Sequence, residues 1–304
     1  MWSLTSIIDA WYDAMDNYTD PRVNDWFMMS SVFPTVAIVL VYVFFVKILG
    51  PKLMEKRKPY DLNNILLVYN FLQVIISAIL FKEALLSGWN GKYSFRCQPV
   101  DYSPNGLDIA WASYLYYLSK FTELADTVFF VLRKKNKQVT ALHVAHHGIM
   151  PISVWFGVKF VAGGHGTFFG LLNTFVHIWM YLYYFLAALG PKVQPYLWWK
   201  KHLTSMQIIQ FILIFIHGLQ VLFIECNYPK ICVWIINLHA MFFLFMFRDF
   251  YTKAYKSKGE KKSEFNVANL EVDPHREGIK QSDLWTQNYD HLVNKRRGNE
   301  VKRD

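Results

Sequence analysis

Polar and apolar positions in this chain alternate on the scale of whole helices. Seven predominantly apolar stretches, residues 31–49, 65–85, 109–132, 144–162, 167–188, 203–224 and 231–250, are separated by short polar segments. Each is about as long as a helix must be to cross a hydrocarbon core roughly 30 Å thick at 1.5 Å per residue. The pattern predicts an all-α, polytopic membrane protein. It has an N-terminal segment over 1–30, a seven-helix transmembrane domain over 31–252, and a basic tail over 253–304 whose polar composition lacks apolar periodicity and reads as disordered.

Composition fits one membrane domain and not two soluble ones: 53% of the 304 residues are hydrophobic and 18% aromatic, against roughly 45–50% apolar in soluble domains. The net charge of +9 does not point to nucleic acid, because the basic residues flank apolar stretches and form no stripe with exposed aromatics. A membrane surface or an anionic cytosolic substrate fits better. No short basic region with an apolar core and a small-residue cleavage site opens the chain, so the first span is expected to direct insertion itself.

The distribution of Lys and Arg sets the expected orientation, since positive residues stay cytosolic. Lys47, Lys52, Lys56, Arg57, Lys58, Arg133, Lys134, Lys135, Lys137, Lys192, Lys200 and Lys201 fall on one side. Arg22, Lys82, Lys92, Arg96 and Lys230 fall on the other. The N-terminus is therefore expected in the lumen and the C-terminus in the cytosol. Asn17-Tyr18-Thr19, a glycosylation acceptor triplet, lies on the lumenal side. So do Cys97 and Cys226, in two different loops where an oxidising compartment permits a disulfide, while Cys232 lies at a span end. A Cys97 to Cys226 bridge is expected; three unrelated free thiols are the alternative.

Polar groups at membrane depth usually face the protein interior and serve a function. Lys120, Glu123 and Asp126, with Thr127, cover about 120° of the third span. This is either a structural ion network or the support of a site. His143, His146 and His147 open the fourth span at i, i+3 and i+4, within about 100° of one another. Asn173, His177, Met180, Tyr181 and Tyr184 share a face of the fifth span, and Thr204, Gln207 and Gln210 one of the sixth. Amides at such spacing also serve as glue between transmembrane helices. The HxxHH spacing has a rival meaning in di-iron membrane desaturases, but such clusters draw ligands from several boxes. Here the remaining histidines, including His165, His217 and His239, stand singly, and no metal is expected.

These residues resemble the ELO or ELOVL fatty acid elongases. The matching segments, in order, are Gly50-Pro51 through Arg57-Lys58-Pro59, Val68-Tyr69-Asn70-Phe71, the run from Lys120 to Thr127, Leu142 to His147, Asn173 to Tyr184, Thr204 to Gln210, and Cys226-Asn227-Tyr228-Pro229. They cover residues 50 to 230, and Ala145 stands where the family often has an aromatic residue. The resemblance implies seven helices, six of them enclosing a narrow acyl tunnel and one packed outside. It implies an acyltransferase, a very-long-chain 3-oxoacyl-CoA synthase, which condenses long-chain acyl-CoA with malonyl-CoA in the endoplasmic reticulum membrane. No cofactor beyond these substrates is expected. Expected partners are the bilayer and the other elongation-cycle enzymes, with a homodimer left open.

On that chemistry the expected roles are as follows. His146 accepts the acyl group, or serves only as a base in a ternary complex. His143 and His147 orient it or relay protons, and His177 stabilises the enolate or oxyanion. Lys120, Glu123, Asp126, Asn173, Met180, Tyr181, Tyr184, Gln207 and Gln210 support the site. Lys52, Arg57, Lys58, Lys134, Lys135 and Lys137 are candidates to hold CoA phosphates or, equally, simple determinants of topology. A seven-helix receptor or transporter is the non-enzyme alternative; a transporter would more naturally show paired internal repeats.

Overall fold

The computed structural model describes residues 4–256, and every regular element among them is helical. The chain starts with α1 (Leu4–Asn17), whose apolar residues Leu4, Ile7, Ile8, Trp11 and Met15 recur at helical spacing. Next, α2 (Phe33–Phe44) carries Pro34 in its first turn, where the missing N–H has no helical partner to lose. It runs through a wider turn, Phe45–Leu49, into α3 (Gly50–Met54), and α4 (Asn63–Ala84) follows. The third apolar stretch is split into α5 (Leu107–Glu123) and α6 (Ala125–Leu132). The break falls at Leu124, whose N–H bonds three residues back to the carbonyl of Phe121 at 3.2 Å.

Thr140 caps α7 (Ala141–Val161), its hydroxyl accepting the backbone N–H of His143 at 3.2 Å, and Pro151 lies inside that helix. The remaining helices are α8 (Thr167–Ala188), α9 (Lys200–Val221) and α10 (Lys230–Tyr251).

Among the described residues, five helical stretches are long and apolar enough to cross a membrane: Phe33–Met54, Asn63–Trp89, Thr167–Ala188, Lys200–Val221 and Lys230–Tyr255. The two others expected to cross, α5 with α6 and α7, carry Lys120, Glu123, Asp126 and the three clustered histidines. Those residues lower their apolar character. The tail expected to be disordered lies, beyond residue 256, outside the described residues.

Helix contacts close a ring: α5 packs on α4, α4 on α8, α8 on α9, α9 on α10, α10 on α7, and α7 back on α5. Outside this ring α2 packs against α7. Lys120, Glu123, Asp126, Asn173 and His177, on α5, α6 and α8, are buried, where they find partners that lipid does not offer.

One end of the ring is tied shut. A Cys97–Cys226 disulfide joins the α4–α5 loop to the α9–α10 loop, and Gln220 Nε2 donates to the Phe95 carbonyl at 2.6 Å. Arg22 forks onto both carboxylate oxygens of Asp20, at 2.9 and 2.6 Å. It also donates to the carbonyls of Asp101 (2.6 Å), Gly106 (3.0 Å) and Ala162 (2.6 Å), so one guanidinium joins three segments. Burial opposes the charge of Arg22, but the hydrogen bond and charge of Asp20 outweigh it and hold the guanidinium pKa above its ordinary value.

At the opposite end Tyr60 N–H bonds to the Leu132 carbonyl at 3.1 Å, and Lys134 Nζ to the Glu55 carbonyl at 3.1 Å. Lys134 itself adopts a left-handed conformation (φ 53°), and the next N–H, of Lys135, closes α6 onto the Phe130 carbonyl at 2.8 Å.

Candidate active site

Helices α5 and α8 meet in a circuit of polar contacts at the centre of the bundle. Lys120 is 2% exposed, and its Nζ lies 2.5 Å from Glu123 Oε1 and 3.1 Å from Asn173 Oδ1. It also sits over the Tyr116 ring, 4.3 Å from the centroid. Tyr116 OH donates to the same Asn173 oxygen at 2.7 Å. With two donors on its oxygen, Asn173 must present its NH₂ to His177 Nε2, at 3.2 Å. That nitrogen therefore carries the lone pair. His177 Nδ1 then carries the hydrogen and lies 3.3 Å from Glu123 Oε1. The circuit Glu123, Lys120, Asn173, His177 thus fixes the tautomer of His177 without any other group.

The turn opened by Thr140 presents the three clustered histidines to the interior. His143 and His147 rings lie 4.3 Å apart, and His146 meets His147 edge-on at 5.5 Å and Phe243 at 5.0 Å. His147 is buried, and His143 Nε2 and His146 Nδ1 are buried without a hydrogen-bond partner. Glu123 and His177 are close enough to act electrostatically on both His146 and His147. Beside them Asp126 accepts from Tyr181 OH at 2.8 Å, and Thr127 pairs with Tyr42 OH at 2.8 Å. Met180 sulfur accepts from Gln207 Nε2 at 3.7 Å, Tyr184 lies 6.0 Å from the Tyr181 ring, and Gln210 is buried on α9.

Towards the disulfide-tied end the bundle holds a cavity of about 1030 Å³, lined mainly by apolar side chains of α1, α4, α5, α7, α8 and α10. That is at the upper end for a small-molecule site. Its wall includes Tyr116 and Thr174, the neighbour of Asn173, so cavity and polar circuit share a boundary. His143, His146, His147 and His177 do not themselves line it. Met150 (1% exposed) and Phe243 (0%) fill the layer between. Cys232 lines the cavity and is the one free thiol, since all three cysteines lie among the described residues.

The basic residues form a separate group. Lys52, Arg57, Lys58, Lys135 and Lys137 are exposed around the α3–α4 and α6–α7 connections. Of the six, Lys134 is tied to Glu55 and Arg57 donates to Tyr60 OH at 3.0 Å. Asn17 ends α1 at the cavity rim, its amide donating to Asp13 Oδ1 at 2.8 Å. Among the described residues no three His, Cys, Asp or Glu side chains converge to hold a metal ion.

Residues 27–263 match the family model ELO, the GNS1/SUR4 family. The chain belongs to this family. It is 60% identical over 253 residues to a very long chain fatty acid elongase of Aedes aegypti, covering 82% of this chain and 71% of that protein. To very long chain fatty acid elongase 7 of Drosophila melanogaster it is 54% identical over 284 residues, 92% of this chain and 86% of the relative. The corresponding figures for elongase 7 of Rattus norvegicus are 52% over 262 residues, 85% and 93%. The protein is thus an ELO-family enzyme with several membrane-spanning helices.

Sequence reasoning missed three parts of this site. Tyr116 stands one turn before Lys120, a spacing that could have revealed it. Ser153 and His239, on α7 and α10, meet at 3.4 Å on the cavity wall. Each stands singly in sequence, so no local spacing signals them.

Proposed function

We propose that this enzyme carries out the condensing step of very-long-chain fatty acid elongation in the endoplasmic reticulum membrane, with His146 as the acyl acceptor. The observation that carries the reading is a buried circuit of Lys120, Glu123, Asn173 and His177, set with three more histidines and separated from an apolar cavity by the Met150 and Phe243 layer. A nitrogen of His146 attacks the thioester carbonyl, the C–S bond breaks, and the proton lost by the imidazole goes to the departing CoA sulfur. Malonyl-CoA then loses its carboxylate as CO₂. The electron pair left on its C2 attacks the acyl carbonyl carbon, the C–N bond breaks, and the imidazole regains a proton from solvent.

His143 and His147 orient His146 and relay these protons. His177, once a substrate oxygen displaces the Asn173 amide and its Nε2 is protonated opposite Glu123, stabilises the enolate. The acyl tail enters the cavity by displacing Met150, whose unbranched side chain adapts to shape. No thiol competes for the acyl group at the histidines, because Cys232 lines the cavity instead. Lys52, Lys58, Lys135 and Lys137 hold the CoA phosphates at a cytosolic mouth, with the disulfide-tied end in the lumen and α5–α6 and α7 completing seven crossings. Malonyl-CoA, the cycle's other enzymes and a second copy of the chain are the partners of this reading.

Incubation with acyl-CoA alone is expected to release one CoA per active site and to add the acyl mass to His146. No release and no adduct would leave His146 as a base only, and failure to release CO₂ from labelled malonyl-CoA would remove the condensing role. Maleimide labelling of Cys232 is expected to slow when long-chain acyl-CoA is present and to be unaffected by free CoA. Equal labelling in both cases would place the acyl chain elsewhere.

A further inference from the structure

The cavity wall is not uniformly apolar where it approaches the histidines. His239 on α10 lines it, and its Nδ1 lies 3.4 Å from Ser153 Oγ on α7. Its Nε2 is buried, with almost no surface open to the cavity, and has no hydrogen-bond partner. His239 is held by Phe243, one helical turn along α10 (centroids 4.7 Å), and edge-on by Phe169 at 5.6 Å. The same Phe243 ring meets His146 at 5.0 Å. The spacing is that of two matching layers: His146 faces Phe243, and two turns further along α7 Ser153 faces His239. The second layer therefore lies about 5–10 Å deeper along the path an acyl tail takes from His146.

An unpaired nitrogen just behind a mainly apolar wall disfavours a plain hydrocarbon beside it and favours a group that completes the bond. We propose that His239 is a specificity-determining residue, which selects acyl-CoAs bearing a hydroxyl or keto oxygen a few carbons from the thioester. This rests on the condensing role and on the acyl tail occupying the cavity. Ser153 has the auxiliary part of fixing the tautomer. If its hydroxyl donates to Nδ1, Nε2 bears the hydrogen and serves a hydroxyl or a ketone. If Nδ1 donates to the serine, Nε2 accepts, and only a hydroxyl, able to donate, completes the bond. Comparing hydroxy and keto substrates thus reads the tautomer as well as the site.

The experiment uses the full chain in membranes and acyl-CoAs of one length, with a hydroxyl moved carbon by carbon from the carbonyl and a plain chain as reference. Condensation rates are expected to peak at one hydroxyl position, on the order of tenfold over its neighbours. In His239→Phe the peak is expected to vanish, and in His239→Gln, which keeps a donor and an acceptor, to survive in part. The ratio of hydroxylated to plain substrate is taken within one preparation, so a poorly folding variant lowers both rates and leaves the ratio unchanged. A flat positional profile in the unmodified protein overturns the proposal, as does a peak that His239→Phe leaves in place. If the unmodified protein condenses neither substrate, the condensing role itself fails.

Discussion

Alanine in place of His146 is expected to abolish condensation, lowering the rate by at least about a thousandfold, while the protein still inserts and keeps its disulfide. His146 contributes little to the fold that alanine cannot replace. Its Nδ1 makes no hydrogen bond, and its contacts are the edge of His147 and the ring of Phe243. Losing a nucleophile is a different event from losing a packing group, and the two separate experimentally. Activity should vanish in His146→Ala with the melting temperature shifted only slightly. His146→Ala retaining a tenth of the normal rate in microsomes would take His146 out of the covalent role.

Glu123→Gln is expected to damage both stability and activity. The glutamate is the only carboxylate bonded to Lys120 among the described residues, and both side chains are almost wholly buried. Removing one partner of a buried pair leaves the other uncompensated, a cost of about 3–5 kcal/mol and a melting temperature lower by on the order of 10 °C. Glutamine keeps an oxygen for His177 Nδ1–H, so the change removes the charge more than the geometry. The double variant Lys120→Met, Glu123→Gln should recover most of the thermal loss and none of the condensation. Recovered activity in the double variant would show the pair to be structural only.

The fold was legible in the sequence to the extent that lipid imposes a length on every helix. All seven apolar stretches are helices, and the one at 167–188 has the boundaries the apolar pattern gives. The break at Leu124 was not readable, because no proline or glycine marks it. Nor was α1 anticipated. At 14 residues it is too short to cross a bilayer, although its apolar spacing was there to be read. The spacing of Lys120, Glu123, Asn173 and His177 indicated shared faces, and the structure joins them in one circuit. What spacing within one helix cannot convey is depth between helices. That the cavity stops at Tyr116, and that Met150 and Phe243 separate it from the histidines, follows from how α7 and α10 pack.

Pro151 sits four residues beyond His147 in α7. Lacking an N–H, it leaves the carbonyl oxygen of His147 as a spare acceptor inside the helix and removes one rung between the helix's two halves. The half beyond it is moored, by Trp155 to the Met28 carbonyl at 2.8 Å and by Lys159 to Asn24 at 2.7 Å. The half before it carries the three imidazoles and is anchored by the Thr140 cap. The histidine turn is thus joined to the moored half by one backbone hydrogen bond fewer than an uninterrupted helix would provide.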